Sequence, residues 1–334
     1  MWKKGIAGLL TGAAVLAIAG GTAAAQTHEL KVSHFLPPGH TMHKELVRWA
    51  AELKQKSGGR LLLAIFPASQ MGPMPRQFDL ARTGVADIAF SLHGGTPGRY
   101  PLTEIGSLPY LVKSSASASR AQTMLIPEYL YKEYVGLKAL YNIIVPPLNM
   151  NMAKKKITRV EDVKGLRIRH AGKIFAQVIQ QLGGTPVAVQ PAASADALAK
   201  GIVDGAMFPY EAALAFKLGT VCKYVIEPGW SAATFSLMMN PAKYASLPAD
   251  LRKLIDDTTG PEAAARIGAA FEKADIAGKT YMQQHAEIVV IKGKELERFQ
   301  TLVAPVTERF LKELEGKGLP ARAVYARFKK LAAQ

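Results

Sequence analysis

Arg169 and the run Phe208-Pro209-Tyr210-Glu211 are the residues of this sequence with the most chemical reach. A guanidinium is a planar fork of donors that pairs with a carboxylate through two parallel hydrogen bonds and stays charged when desolvated. Phe208 and Tyr210 offer flat apolar area, and Glu211 offers an acceptor for a hydroxyl or amine, or a partner for a base such as Lys217. Together these types describe capture of an organic acid. Taken alone, Arg169 has a second reading, a surface strand residue paired with a nearby acid such as Asp162.

The elements that position these residues follow from periodicity. Leu166 and Ile168 alternate with Arg167 and Arg169, the period of a strand; Ile174, Phe175, Val178, Ile179 and Leu182 recur at helical spacing and stop at Gly183. Pro186 to Val189 reads as a second strand, Ser194 to Lys200 as a helix closed by Gly201, and Ala206 to Phe208 as a third strand. Strand, helix, strand, helix, strand is a parallel unit, because parallel neighbours need a crossover. Ligands of open parallel sheets sit beyond the carboxyl ends of the strands, so Arg169 and Phe208 to Glu211 are expected to face one crevice.

The run Glu161-Asp162-Val163-Lys164-Gly165-Leu166-Arg167-Ile168-Arg169, the break Leu182-Gly183-Gly184-Thr185-Pro186, and Gly201-Ile202-Val203-Asp204-Gly205 with Pro209 resemble the DctP-type solute-binding proteins of TRAP (tripartite ATP-independent periplasmic) transporters. The likeness runs from about Leu30 to about Asp257, with Ser57-Gly58-Gly59-Arg60, Phe66-Pro67, Gln70-Met71-Gly72, Leu108-Pro109-Tyr110 and Leu247-Pro248 in family order. It implies an α/β, two-lobed periplasmic binding protein of type II-like architecture, with a ligand cleft between the lobes and a long helix, here about Pro261 to Gln284, spanning both. It also implies that Arg169 is the carboxylate clamp. Many members carry a second basic or polar residue where this chain has Leu148 followed by Asn149, and Glu-Asn before the proline where it has Met207-Phe208. Both departures make the expected cleft less polar.

Residues 1–25 begin with Lys3 and Lys4, continue in an apolar run from about Ile6 to Ala19 and end in Ala23-Ala24-Ala25, the pattern of a secretory signal peptide cleaved after Ala25. The run is short and rich in Ala and Gly for a membrane anchor, which needs roughly 20 apolar residues. The formal charge of +16 falls to +14 without the two lysines. The remaining bases are scattered, and the cluster Lys154-Lys155-Lys156 with Arg159 reads as a solvated loop, so no nucleic-acid partner is expected; a positive field favours encounter with anions. Cys222 is the single cysteine, which excludes an intrachain disulfide and leaves a buried thiol as its reading.

In the first half, Leu30 to Phe35, Leu61 to Phe66 and Ile88 to Leu92 read as strands, with helices at about Met42 to Lys56 and Arg76 to Thr83. Gly84-Val85-Ala86-Asp87-Ile88-Ala89 matches Gly201-Ile202-Val203-Asp204-Gly205-Ala206 in residue type and order. As a structural repeat, this puts Ser91 in the place of Phe208 and His93 in that of Tyr210, on lobes of similar topology. Ser114 to Val145 reads as mostly helical, Leu148 to Met152 as a strand entering the second lobe, Ser231 to Asn240 as one that by resemblance returns, and Lys294 to Leu331 as two amphipathic helices. The expected division is residues 26–147 plus 236–274 for lobe I and 148–235 plus 275–334 for lobe II.

His34, His40 and His43 are close enough to suggest a metal, yet no acid or cysteine completes a ligand spacing, so none is expected and His34 is read as lining or capping the cleft. Gly94-Gly95-Thr96-Pro97-Gly98 lacks the Gly-Lys-Ser/Thr ending of a phosphate loop, and no nucleophile elbow or His-Glu-x-x-His helix occurs. No catalytic residue and no cofactor are expected. The candidate wall around Arg169 is His34, Phe35, His93, Asn149, Phe208, Tyr210, Glu211 and Trp230. The expected protein is a monomeric periplasmic receptor that binds a small carboxylate and docks transiently on TRAP permease subunits. One clamp amid aromatic residues favours an aromatic or bulky apolar monocarboxylate, a 2-oxo or hydroxy acid. A C4-dicarboxylate receptor and a secreted hydrolase using His93 or His34 are the alternatives.

Overall fold

The computed structural model describes Trp2 and residues 26–334; the rest of the expected signal peptide, residues 1–25, lies outside the described residues. The chain forms two lobes, each built on one sheet. The first sheet has the order β2-β1-β3-β10-β4, with β1 His28–Ser33, β2 Leu61–Phe66, β3 Ile88–Leu92, β4 Lys138–Ile144 and β10 Thr234–Met239. The second has the order β11-β9-β5-β8-β6-β7, with β5 Leu148–Met152, β6 Arg167–His170, β7 Thr185–Ala188, β8 Gly205–Phe208, β9 Tyr224–Ser231 and β11 Glu287–Val290.

The two lobes repeat one construction. β2-β1-β3 and β7-β6-β8 are parallel triplets, and each is extended by an antiparallel strand, β10 beside β3 and β5 beside β8. The matching hexapeptides perform the same task in both. Gly84 (φ 75°) and Gly201 (φ 66°) end a helix, and the acid three residues on reaches the central strand. Asp87 accepts from Lys31 N at 2.7 Å while its own N–H donates to Lys31 O at 2.9 Å. Asp204 accepts from Arg167 N at 2.8 Å, and its N–H donates to Arg167 O at 2.7 Å. The register then sets Ser33 opposite Ala89 and Arg169 opposite Ala206. Arg169 therefore holds the place that Ser33 holds in the first lobe.

The antiparallel strands are also the connections. β4 passes through Val145 to Pro147 into β5 of the other sheet, and β9 passes through Ala232 and Ala233 back into β10. The two crossings are tied together by Val145 N–H donating to Ala233 O at 3.1 Å. A third link is the helix Pro261–Gln283, which packs on the helices Ser115–Leu125 and Tyr210–Ala215, one in each lobe. Glu272 on it accepts from Ser115 N at 2.6 Å and Asp275 from Glu211 N at 2.9 Å, so residues three apart satisfy the free N–H groups of one helix start in each lobe. Gly268 and Gly278 permit this approach: an added Cβ would stand 2.5 Å from Ser115 O and 2.3 Å from Tyr210 O respectively. The lobes also touch beyond the ends of β3 and β6, where a Cβ on Gly94 would lie 2.3 Å from Ala171 O and one on Gly172 2.7 Å from Gly94 Cα.

Three strands depart from the expected pattern. β4 lies in the segment read as mostly helical; the helix Ser115–Leu125 ends near Pro127, and Gly136 (φ 82°) resets the chain into an alternation ending in Ile143 and Ile144. β9 is masked in the sequence by Pro228-Gly229, which disfavours a strand reading, and β11 is a four-residue edge strand. The tail is divided between the lobes: Gly293–Glu315 lies on the helix Lys173–Gln181, whereas Ala321–Ala332 packs on Ser115–Leu125 of the first lobe.

Two buried acids of the first lobe, Glu104 and Glu133, have raised pKa values. Glu133 accepts from Leu102 N at 2.5 Å and Thr103 N at 3.1 Å, and burial still raises its pKa to about 7. Glu104 makes no such bonds; burial raises it to about 7, Lys173 opposing and Glu133 adding to the shift. A carboxyl raised in the fold binds a proton that the unfolded chain releases above its usual value of 4.5, so its contribution falls as pH rises from there through 7. Glu104→Gln is expected to stabilise the protein by about 1–3 kcal/mol at pH 8 and to lose that advantage by pH 4.5. Thermal denaturation of both proteins across this range measures the difference.

Candidate ligand-binding site

Arg169 ends in the space between the lobes and is 2 % exposed. Its Nε–H donates to Val189 O at 3.1 Å and Nη1–H to Met207 O at 3.2 Å, while the guanidinium lies 4.2 Å from the centre of the Phe208 ring. These contacts fix its plane but carry no negative charge, and among the described residues no carboxylate is within ion-pair distance of it. The alternative of a surface pair with Asp162 is overturned: Asp162 accepts from Thr158 N and Arg159 N, and the paired arginine of this strand is Arg167, 2.9 Å from Asp204. Burial pulls the Arg169 pKa down to about 9, which leaves it charged at neutral pH with its desolvation uncompensated.

The guanidinium forms part of the wall of a cavity between the lobes. Of the expected wall residues, Phe35, Phe208 and Glu211 join Arg169 there. Most of the remaining lining is apolar: Leu36 and Leu92 from the first lobe, Leu148, Phe216 and Phe235, and the crossing residues Val145 and Ala233. Leu148, at the start of the strand entering the second lobe, is thus a wall residue, and the interlobe crossings and the cavity share atoms. The second polar group is Glu211 with its neighbour His40. Glu211 Oε1 accepts from Thr41 N at 2.7 Å, whereas its Oε2 is buried without a partner. His40 Nδ1 accepts from Met42 N at 3.2 Å, which places the proton of the neutral ring on Nε2. Burial lowers the His40 pKa although Glu211 pulls the other way, so its 3.4 Å approach to Glu211 Oε1 is a contact of a neutral ring with a carboxylate.

Five expected residues stand off the cavity. His34 is a backbone support: Nδ1 accepts from Leu36 N at 3.2 Å, Nε2 bonds His43 Nδ1 at 3.0 Å, and burial takes its pKa down to about 3. His93 sits between Thr234 Oγ1 at 2.9 Å and the Tyr134 hydroxyl at 3.3 Å, again with its pKa lowered by burial to about 3. Trp230 stacks on Phe299 with ring centres 5.4 Å apart. Asn149 follows Leu148, and strand alternation turns it to the opposite face. There it borders an open depression together with Tyr210, whose hydroxyl donates to Glu227 Oε1 at 2.8 Å. The aromatic area expected from His93, Tyr210 and Trp230 comes from Phe216 and Phe235. Phe235 is legible as part of a buried strand and Phe216 as the sixth residue after Tyr210; nothing in either pattern marks which face meets a ligand.

A pair of similar lobes joined by crossing strands, with a buried cation in the apolar cavity between them, defines a solute receptor of the two-lobed, type II-like class. The chain belongs to the bacterial extracellular solute-binding protein family 7, DctP, whose family model matches residues 32–314. It is similar to the TRAP solute-binding protein of Rhodoferax ferrireducens T118 solved with copurified benzoate, at 30 % identity over 92 % of this chain and 98 % of that one, TM-score 0.88. A marine metagenome TRAP protein specific for aromatic acid ligands, solved with 3-hydroxybenzoate, is 26 % identical over 92 % and 98 % of the two chains with TM-score 0.88. A TRAP protein of Bordetella bronchiseptica with bound (R)- and (S)-mandelate is 26 % identical over 92 % and 99 %, TM-score 0.86.

Arg169 is suited to pair with an anion and little else. Arg169→Ala is expected to weaken carboxylate binding by about 2–5 kcal/mol, since the ligand charge would be buried unpaired. Without ligand the same variant should melt no lower than the parent, because a buried charge lacking a counter-ion is removed. Calorimetry and thermal denaturation of the two proteins separate these effects. Arg169→Lys is expected to fail as a replacement, as a point charge does not reproduce the fork.

Proposed function

We propose that the protein is exported, cleaved after Ala25, and serves in the periplasm as the monomeric receptor of a TRAP uptake system. Its ligand in this reading is an aromatic or bulky apolar monocarboxylate, a 2-oxo or hydroxy acid, which it delivers to the membrane permease without altering it. The observation that carries the reading is the single buried guanidinium, free of a protein counter-ion, in a wall otherwise made largely of Phe35, Phe208, Phe216, Phe235 and aliphatic side chains. One carboxylate is neutralised there; the second carboxylate of a C4-dicarboxylate would lie in apolar surroundings whose other charged group is Glu211, at a cost of several kcal/mol. The aromatic acids held by similar receptors support the same class. The lobe division proposed from sequence fits this role with the final helix, Ala321–Ala332, moved to lobe I.

Calorimetry of the mature protein against benzoate, mandelate and benzoylformate beside succinate tests the ligand class. Binding of the aromatic acids at least roughly tenfold tighter than succinate, a difference of about 1.4 kcal/mol, is expected; tight succinate binding without response to the aromatic acids overturns the reading. Closure is tested separately. Ligand should make the protein more compact in small-angle scattering, with the lobes meeting at Gly94 and Gly172. Gly94→Ala, outside the cavity wall, places a methyl group against the Ala171 carbonyl and is expected to block compaction and weaken ligand binding by about 1–3 kcal/mol while leaving the circular dichroism unchanged.

A further inference from the structure

We infer that Glu211 is a specificity residue that selects, among aromatic monocarboxylates, those carrying a hydrogen-bond donor on the part of the molecule remote from the carboxylate, a ring hydroxyl being the simplest. The inference rests on the proposed aromatic-acid reading and deepens it. Glu211 is 4 % exposed and lines the same cavity as Arg169, yet no ion pair joins the two. Its oxygens are treated unequally. Oε1 is held by the Thr41 N–H at 2.7 Å beside His40, while Oε2 is buried and has no hydrogen-bond partner. The residue's position is fixed from both sides, by Thr41 on the first lobe and through its own N–H by Asp275 on the helix Pro261–Gln283, so Oε2 cannot swing to solvent without breaking an interlobe bond.

A buried acceptor left unsatisfied is costly, and a site with such a group discriminates strongly against ligands that do not supply the missing donor. The rest of the wall offers no competing polar group of this kind apart from His40, whose Nδ1 is already occupied by Met42 N–H. The cavity thus presents donors at Arg169, an acceptor at Glu211 and mostly apolar surface elsewhere. The complementary ligand is a hydroxyaryl carboxylate: carboxylate on the guanidinium, ring among the phenylalanines, hydroxyl donating to Glu211 Oε2. A methoxy group at the same ring position adds bulk without a donor and does not complete the bond.

The test is calorimetry with benzoate, 3-hydroxybenzoate, 4-hydroxybenzoate and the two methoxy analogues, on the parent and on Glu211→Gln. In the Glu211→Gln variant the amide oxygen keeps the Thr41 bond and the amide nitrogen replaces the free acceptor with a donor. At least one hydroxybenzoate should bind the parent roughly tenfold or more tighter than benzoate and its methoxy analogue, as expected for a hydrogen bond to a charged group. In Glu211→Gln the ratio of hydroxybenzoate to benzoate affinity should collapse to within about twofold. Equal binding of benzoate and both hydroxybenzoates by the parent overturns the inference and leaves the aromatic-acid reading intact, and so does a Glu211→Gln variant that retains the preference. Failure of every aromatic acid to bind the parent overturns both.

Discussion

The structure depends on one charge kept out of water without a partner. Arg169 is held by two backbone carbonyls and the face of Phe208, which orient a guanidinium but do not neutralise it. A buried, unpaired charge destabilises a closed conformation by several kcal/mol, and an anion that pairs with it removes that cost. In the proposed function the arginine therefore links the chemistry of the ligand to the position of the lobes. A lysine in the same place would be free to reach solvent along its flexible stem, whereas the fork is fixed at Nε and Nη1 with its other N–H groups left for a ligand.

What holds the fork in place is the repeated lobe. In each half an aspartate after a glycine turn hydrogen bonds the backbone of the central parallel strand, Asp87 to Lys31 and Asp204 to Arg167, and two residues further along that strand lies an equivalent register position, which in the second lobe reaches the cleft. The first lobe places Ser33 there and the second Arg169. Similar frames with different residues at one register position make a cleft that is asymmetric in charge. The crossing strands join the lobes, and because Val145 and Ala233 belong to both crossing and wall, a ligand packed against them would touch the segment through which the proposed closure runs.

Much of this was legible from sequence because it is local. The alternation around Ile168, the helical spacing from Ile174 to Leu182 and the glycine-aspartate turns set the parallel units, and their carboxyl ends set the crevice. Resemblance to a family supplied the role of Arg169; periodicity alone left it undecided between a clamp and a surface pair. The wall was less legible, since a residue such as His93, Tyr210 or Trp230 is aromatic whether it packs on Tyr100, bonds Glu227 or stacks on Phe299. Which rings face the cavity depends on contacts far apart in the chain, and sequence spacing does not encode those. The same holds for β4 and β9, whose partners are the crossing strands and not their sequence neighbours within a helix-strand unit.

The polar groups of the cavity explain how closure can depend on what is bound. With the lobes together, Arg169 and Glu211 are both withdrawn from water; among the described residues Arg169 has no counter-ion and Glu211 Oε2 no hydrogen-bond partner. A small apolar molecule would fill the space between the phenylalanines and leave both costs standing, and a simple anion would remove only one. A ligand shifts the balance between open and closed forms only by its difference in affinity for the two. In the open form these groups can be hydrated, so burying them unsatisfied opposes closure in the absence of a fitting ligand. In the proposed reading the apolar wall sets the shape of what is admitted, and Arg169 and Glu211 determine which admitted molecules let the Gly94–Gly172 contact form.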